Sequence, residues 1–430
     1  MLYRQVATIG LLFGGYAALY FCRADLSVAT PFLIDTLDRQ GLSHAESIVR
    51  LGSIASFGVL AYAAGKLFLT GLGDFWGGRR NFLIGLGGAT GFTLLFASGS
   101  ALPLFTAAWI GNRLTQSIAW AGLVKVASKW FDYSSYGTII GILSLSYLIG
   151  DAVARESMGV MIGHGFGWRA LFVYAAVVAG VLLLANAVFL RESRVQAGAT
   201  AAQVNPLSLF ANTEARPRNV RELLLPLLGS RPFLLICVLS LGCTIIRETF
   251  NFWTPVYLRD YLGYSLGDAA RLSAIFPGVG AVSVLISGWA SDRLGVNGRA
   301  LIMLLGLCAA AAALLLLMSL GQGSRSSPLP VIAIGIVAFG LLGPYSFLAG
   351  ASALDFGGKQ AGAASSGIID GVGYIGAVVA GNSVARMSVA FGWQGVFAAL
   401  AAVSALAALV AAYLYTLGAR TVPFAVEASP

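Results

Sequence analysis

Ala309-Ala310-Ala311-Ala312-Ala313-Leu314-Leu315-Leu316-Leu317 lies inside an apolar stretch that runs from 299 to 320. A strand with one face in lipid alternates apolar and polar residues over about ten positions, as in outer-membrane barrels. Nothing alternates here. An α-helix rises about 1.5 Å per residue, so about twenty such residues cross roughly 30 Å of hydrocarbon with every backbone polar group bonded internally. The stretch reads as one membrane-spanning helix.

Working outward, similar stretches recur at 6 to 34, 47 to 73, 81 to 99, 103 to 131, 135 to 160 and 168 to 190. After a polar connection they resume at 232 to 260, 268 to 291, 328 to 355, 360 to 388 and 393 to 416. With the first stretch this makes about twelve, predicting an all-α membrane protein of twelve transmembrane helices. The composition agrees: of 430 residues 58% are hydrophobic and only 10% charged, and the mean hydropathy is +0.82, far from the roughly 25% charged residues of soluble domains. The first stretch is longer than a signal-peptide core and reads as a retained helix. Cys22, Cys237, Cys243 and Cys308 stand singly in apolar stretches and read as small buried residues. The only histidines, His44 and His164, sit in predicted loops, so neither a metal site nor a cofactor is expected, and no enzyme is visible. The formal charge of +9 is spread over loops, which points to a lipid bilayer surface and away from nucleic acid.

Loop charge sets the expected orientation. Arg79, Arg80, Lys129, Arg191, Arg194, Arg231, Arg293, Arg299 and Lys359 collect on one side, which places both termini in the cytoplasm of a cell (inner) membrane by the positive-inside rule. The chain echoes itself. Gly71-Leu-Gly-Asp74-Phe-Trp-Gly-Gly-Arg79-Arg80 and Gly288-Trp-Ala-Ser-Asp292-Arg293 are about 218 residues apart, and Gly167-Trp168 and Gly392-Trp393 about 225. Two pseudo-symmetric six-helix bundles are therefore expected, at 1–190 and 232–430, joined by a cytoplasmic linker at 191–231. Parallel repeats of this kind hold a shared site near the bilayer midplane.

Charges within the apolar stretches mark that site. A cation at mid-bilayer costs roughly 3 kcal/mol even on the lenient insertion scale. Tyr16, Tyr20 and Arg23 fall at i, i+4 and i+7, so one helix face carries two phenols and a guanidinium. Arg247 repeats Arg23 at an offset of about 224. Opposed guanidiniums repel unless an anion lies between them, and the planar fork suits a tetrahedral oxyanion or a carboxylate. Asp25 and Glu248 neighbour these arginines in sequence but not on the helix face, which argues against local ion pairs. Lys66, one turn after Tyr62, is a third buried cation, either at the site or snorkelling to the interface. Asn112, Gln116 and Trp120 form a polar stripe, fit either for substrate or for interhelical hydrogen bonds. Asp370, which shares a face with Tyr374, and Asp151 are each either a proton carrier or a counter-ion. Gly371, Gly373 and Gly376 read as close-packing positions. No Gly-x-x-x-x-Gly-Lys-Ser/Thr loop is present, so transport must draw on a gradient.

At these residues the chain resembles the major facilitator superfamily, and within it the organophosphate:phosphate antiporters, the group of glycerol-phosphate and hexose-phosphate transporters. Gly15-Tyr-Ala-Ala-Leu-Tyr-Phe-Cys-Arg23 resembles that family's GYxxYYxxR stretch, Tyr62-Ala-Ala-Gly-Lys66 its YxxxK, and Arg247 to Leu258 its RxxxxxWxPxYL. The resemblance implies phosphate binding by Arg23 and Arg247, with Tyr16, Tyr20, Tyr62, Lys66, Gln116, Tyr147 and Tyr374 around the substrate. It also implies gating or coupling through Asp74, Arg79, Arg80, Asp292, Arg293, Asp370 and Asp151. The implied activity is rocker-switch exchange of an organophosphate for inorganic phosphate by a monomer. Ala24 and Phe252 stand where the family has a charge pair, Tyr147 aligns with a usual histidine, and Phe75 replaces a usual arginine. Arg23-Ala-Asp-Leu-Ser-Val-Ala-Thr-Pro31 is also similar to the anion:cation symporters, although Cys22 replaces their Asp. Ile369-Asp370-Gly371 is similar to the eukaryotic sugar-phosphate exchangers. Proton-coupled sugar-acid symport and a transporter-like sugar-phosphate sensor are therefore the alternative activities.

Overall fold

The computed structural model describes residues 2–69, 77–202, 227–294, 298–322, 327–348 and 352–421. Among them all regular structure is helical. The helices are α1 (Leu2–Arg39), α2 (His44–Phe68), α3 (Gly78–Ser98), α4 (Leu102–Gln116), α5 (Ala119–Trp130), α6 (Tyr133–Gly163), α7 (Trp168–Phe189), α8 (Arg231–Val256), α9 (Leu266–Ser273), α10 (Ile275–Leu294), α11 (Gly298–Ser319), α12 (Leu329–Phe347) and α13 (Ala353–Thr421).

Nine spans among the described residues are long and apolar enough to cross a membrane, against the twelve expected. The differences have local causes. The expected stretch 103–131 is broken between α4 and α5, where the Ser117 hydroxyl donates to the Leu114 carbonyl at 2.6 Å and competes with the helical ladder. α6 carries Asp151, Arg155 and Glu156. α13 runs through two expected stretches, but Gly392 has φ +69°, a left-handed conformation that cannot continue a right-handed helix and falls at the expected boundary. Pro31, Pro255 and Pro344 lie inside α1, α8 and α12.

The chain divides into two compact units. The first comprises residues 1–211 with 249–278 and 378–389. In it α1 packs along α6 and α7, α3 against α4, α5 and α7, α2 against α4, and α9 against α6. The second comprises 212–248, 279–377 and 390–430, and in it α11 packs along α12. Ser240 there donates to the Ile369 carbonyl at 2.9 Å. A Cβ at Gly373 would meet Ser240 Oγ at 2.7 Å and one at Gly376 the Leu241 carbonyl at 2.6 Å, whereas Gly371 has open space. The first two are close-packing positions; the third is not. All four cysteines are free, and Cys308 is exposed rather than buried.

Candidate functional site

In the first unit, α2 approaches α4 so closely that only glycine fits at two of its positions. A Cβ at Gly58 would lie 2.3 Å from Trp109 Nε1, and one at Gly65 would lie 2.1 Å from Ser117 Oγ. Tyr62 sits between these contacts and is buried. Its ring gathers three cations: the Arg23 guanidinium of α1 at 4.8 Å from the centroid, the Arg113 guanidinium of α4 at 4.9 Å and the Lys66 ammonium at 5.4 Å. Arg23 also donates to the Tyr20 hydroxyl at 3.0 Å. Tyr20 packs on Tyr147 of α6 with centroids 5.6 Å apart. Tyr16 reaches both Tyr20 at 5.9 Å and Trp120 at 5.0 Å. Six of the expected residues, Tyr16, Tyr20, Arg23, Tyr62, Lys66 and Tyr147, thus form one aromatic and cationic cluster.

Gln116 is 2% exposed, and its amide donates to the Cys22 carbonyl at 3.2 Å and to Asn112 Oδ1 at 2.6 Å. Asn112 in turn donates to Thr93 Oγ1 at 2.9 Å. Asn112 and Gln116 therefore join α4 to α1 and α3 by hydrogen bonds. Asp25 is fully buried and accepts from the Leu26 N–H at 2.7 Å.

In the second unit Arg247 does form a local pair, contrary to the helix-face argument. Its Nη2 lies 2.5 Å from Glu248 Oε1. Two long side chains can bend round a helix and meet even when their Cβ atoms diverge. The Arg247 guanidinium also stacks over the Tyr345 ring at 4.5 Å. Asp370 and Tyr374 are both half-buried on α13, and Asp370 acts electrostatically on Tyr345.

Asp151 is ion-paired with Arg155, whose Nε lies 3.0 Å from its Oδ1. Arg155, 2% exposed, spans the first unit: it donates to Ser273 Oγ at 3.1 Å and to the Asn251 carbonyl at 2.5 Å. That carbonyl is available because Pro255, four residues on, has no N–H to bond it. Ser27 Oγ reaches the same carbonyl at 2.9 Å. Further along, Arg259 binds Asp35 at 2.7 and 2.6 Å, and Ser56 donates to the Val378 carbonyl at 2.7 Å. Residues 249–278 and 378–389 are thus bonded to α1, α2 and α6.

Asp74 lies outside the described residues, as does the Asp292 side chain. Arg293 is exposed and stacks on Trp289 at 4.2 Å. Arg80 is exposed, and Arg79 donates to the Leu190 carbonyl at 2.7 Å and to that of Ala187. Glu192 accepts from the N–H groups of Gly78 and Arg79 at 2.9 and 2.7 Å and pairs with Lys129 at 2.6 Å. It therefore caps the positive N-terminus of α3. Partial burial works to raise its pKa, but the Lys129 ammonium and the two N–H groups outweigh burial and hold it below the usual glutamate value.

The helices, the buried cations and the echoed loops point to one architecture, and the model of the Major Facilitator Superfamily matches residues 12–381. The chain belongs to the Major Facilitator Superfamily. Members of this superfamily are transporters, not enzymes. Among curated relatives, this superfamily member is 26% identical over 433 residues to a probable hexose phosphate transport protein of Chlamydia muridarum, covering 95% of this chain and 90% of that one. It is 25% identical to the glycerol-3-phosphate transporter of Bacillus subtilis, covering 95% and 92%, and 24% identical to the membrane sensor protein UhpC of Escherichia coli, covering 92% and 89%. These names agree with the resemblance to the organophosphate:phosphate antiporters. In fold it matches a bacterial homologue of the human lysosomal transporter Spinster with a TM-score of 0.75 over 97% of both chains, at 15% identity.

Sequence reasoning missed Arg113 and Arg155. Arg113 carried the same signal as Arg23, a charge deep in an apolar stretch. Trp109, Arg113 and Gln116 share a helix face, which would have placed it.

Proposed function

We propose that this transporter exchanges an organophosphate, of the sugar-phosphate or glycerol-phosphate type, for inorganic phosphate. The carrying observation is the convergence of Arg23, Lys66 and Arg113 on the buried Tyr62 ring. A cation–π contact stabilises by about 0.5–2 kcal/mol, less than the roughly 3 kcal/mol that each cation costs within hydrocarbon. A phosphate dianion is attracted by all three cations at once, and Arg23 supplies the planar fork for it. The names of the relatives support the same substrate class.

On this reading two six-helix bundles, 1–190 and 232–430, alternate access to the substrate, with Arg247 as a second phosphate-binding arginine and 191–231 as the cytoplasmic linker. A monomer in the cell inner membrane carries out the cycle. The bonds made by Ser27, Arg155, Arg259 and Ser56 are the closed outer gate. With like charges unscreened, the empty site reorients slowly, so transport is obligatory exchange. Liposomes preloaded with phosphate are expected to take up labelled phosphate rapidly, and empty ones not at all at any imposed pH gradient. Accumulation into empty liposomes driven by an inward proton gradient, and abolished in Asp370→Asn or Asp151→Asn, would instead establish sugar-acid symport. The similarity to a membrane sensor protein favours a second reading, in which a phosphorylated ligand raises the unfolding temperature while no flux occurs under either condition.

A further inference from the structure

Three elements of the first unit meet at His44: the end of α1 at Asp38, the start of α2 at His44 itself, and the π-helical turn Tyr257–Tyr261 that follows α8. Both nitrogens of the ring face a carboxylate. Nδ1 lies 2.9 Å from Asp38 Oδ2, and Nε2 lies 3.8 Å from Asp260 Oδ2. Ser47 donates to the other Asp38 oxygen at 2.5 Å, which fixes that carboxylate beside the ring. A neutral imidazole carries one N–H and one lone pair, so it can donate to only one of two facing carboxylates and turns its lone pair on the other. The imidazolium presents an N–H and a positive charge to both.

The neighbouring charges leave that asymmetry in place. Arg259 holds Asp35 at 2.7 and 2.6 Å and lies 3.4 Å from the other Asp260 oxygen, so Asp260 stands between Arg259 and His44. Arg39 turns back to the Asp35 carbonyl at 3.1 Å, and Glu46 accepts from Ser43 at the cap of α2. On α9, which packs against the turn, Asp268 accepts from Ser265 at 2.7 Å and Arg271 pairs with Glu156 of α6. We propose that His44 is a proton-operated latch: protonated, it ties the turn 257–261 to α1 and α2, and deprotonated it keeps only the nearer carboxylate, Asp38. Where the outer-gate reading above holds, acid on that side keeps the gate shut and slows exchange. The latch itself does not depend on that reading.

Hydrogen exchange of the purified full chain in detergent, at about pH 6 and about pH 8 and corrected for the intrinsic pH dependence of amide exchange, reads the latch at residues 257–264. The His44 side chain is 54% exposed, and ion pairs open to water are weak, so opening should be about two- to five-fold rarer at the lower pH. His44→Gln should lose the difference and open as the wild type does at the higher pH, and His44→Lys, charged throughout, should stay closed at both. Equal corrected exchange of the wild type at the two pH values overturns the proposal, a measurement that needs no variant to fold. So does a pH difference that persists undiminished in His44→Gln, which would move the proton to one of the carboxylates. Phosphate exchange by loaded liposomes then separates latch from gate. Flux that slows in acid in the wild type and less in His44→Gln supports both. A latch seen in hydrogen exchange with flux identical in the two proteins keeps the latch and removes 257–261 from the gate.

Discussion

Arg155 donates through Nη2 to the backbone carbonyl of Asn251, 96 positions away in the chain, at 2.5 Å. Pro255 makes that carbonyl available, and Arg155 is held on the other side by Asp151. Breaking a buried pair by removing one partner costs about 3 kcal/mol or more, on the order of 100-fold in an opening equilibrium. Arg155→Ala should therefore raise amide hydrogen exchange in 249–256 and 266–273 by about that factor. Pro255→Ala restores a competing N–H and should loosen the same segment by less. Wild-type exchange in Arg155→Ala would remove Arg155 from the outer gate.

Arg23→Lys and Arg247→Lys keep the charge but lose the fork. Each should weaken phosphate binding at least about tenfold in calorimetry on purified protein, with insertion unchanged. An unaltered Kd in either variant would remove that arginine from the site.

Lys66 is expected to act through charge more than geometry. Lys66→Arg should retain partial transport and Lys66→Ala lose most of it, as read by uptake into phosphate-loaded liposomes. Normal uptake by Lys66→Ala would make this lysine a structural residue.

Glu192 links acidity to stability. Its pKa is held down in the folded chain, so the stabilisation is present above the unfolded glutamate value and is lost as pH falls through the lower folded one. Glu192→Gln should cost about 1–3 kcal/mol at neutral pH, and the gap in Tm from the wild type should close on acidification. A gap that stays constant with pH would show that the carboxylate charge plays no part.

The helical class was legible from Ala309 to Leu317 alone, because a non-alternating apolar run has few alternatives in lipid. The boundary at Gly392-Trp393 was legible from the echo of Gly167-Trp168, although the helix assignment runs through it. The α4–α5 break was not, because one serine in an apolar stretch gives no periodic signal. At the site, Tyr16, Tyr20, Arg23, Tyr62 and Lys66 announced themselves by helical spacing. The Arg247–Glu248 pair did not, because Cβ directions understate how far two flexible side chains reach. The contact from Arg155 to Asn251 depends on a proline-freed carbonyl on another helix, a tertiary relation that spacing along one helix cannot encode.

Tyr62 has one further consequence. An aromatic face attracts cations through its quadrupole, and that of Tyr62 holds three of them close. A carboxylate at that position would bind them more strongly and would leave an arriving anion little to neutralise. On the reading proposed above, the phenol ring is a placeholder that keeps the cations assembled for an arriving anion. Tyr62→Phe would keep that property, and Tyr62→Glu would abolish it.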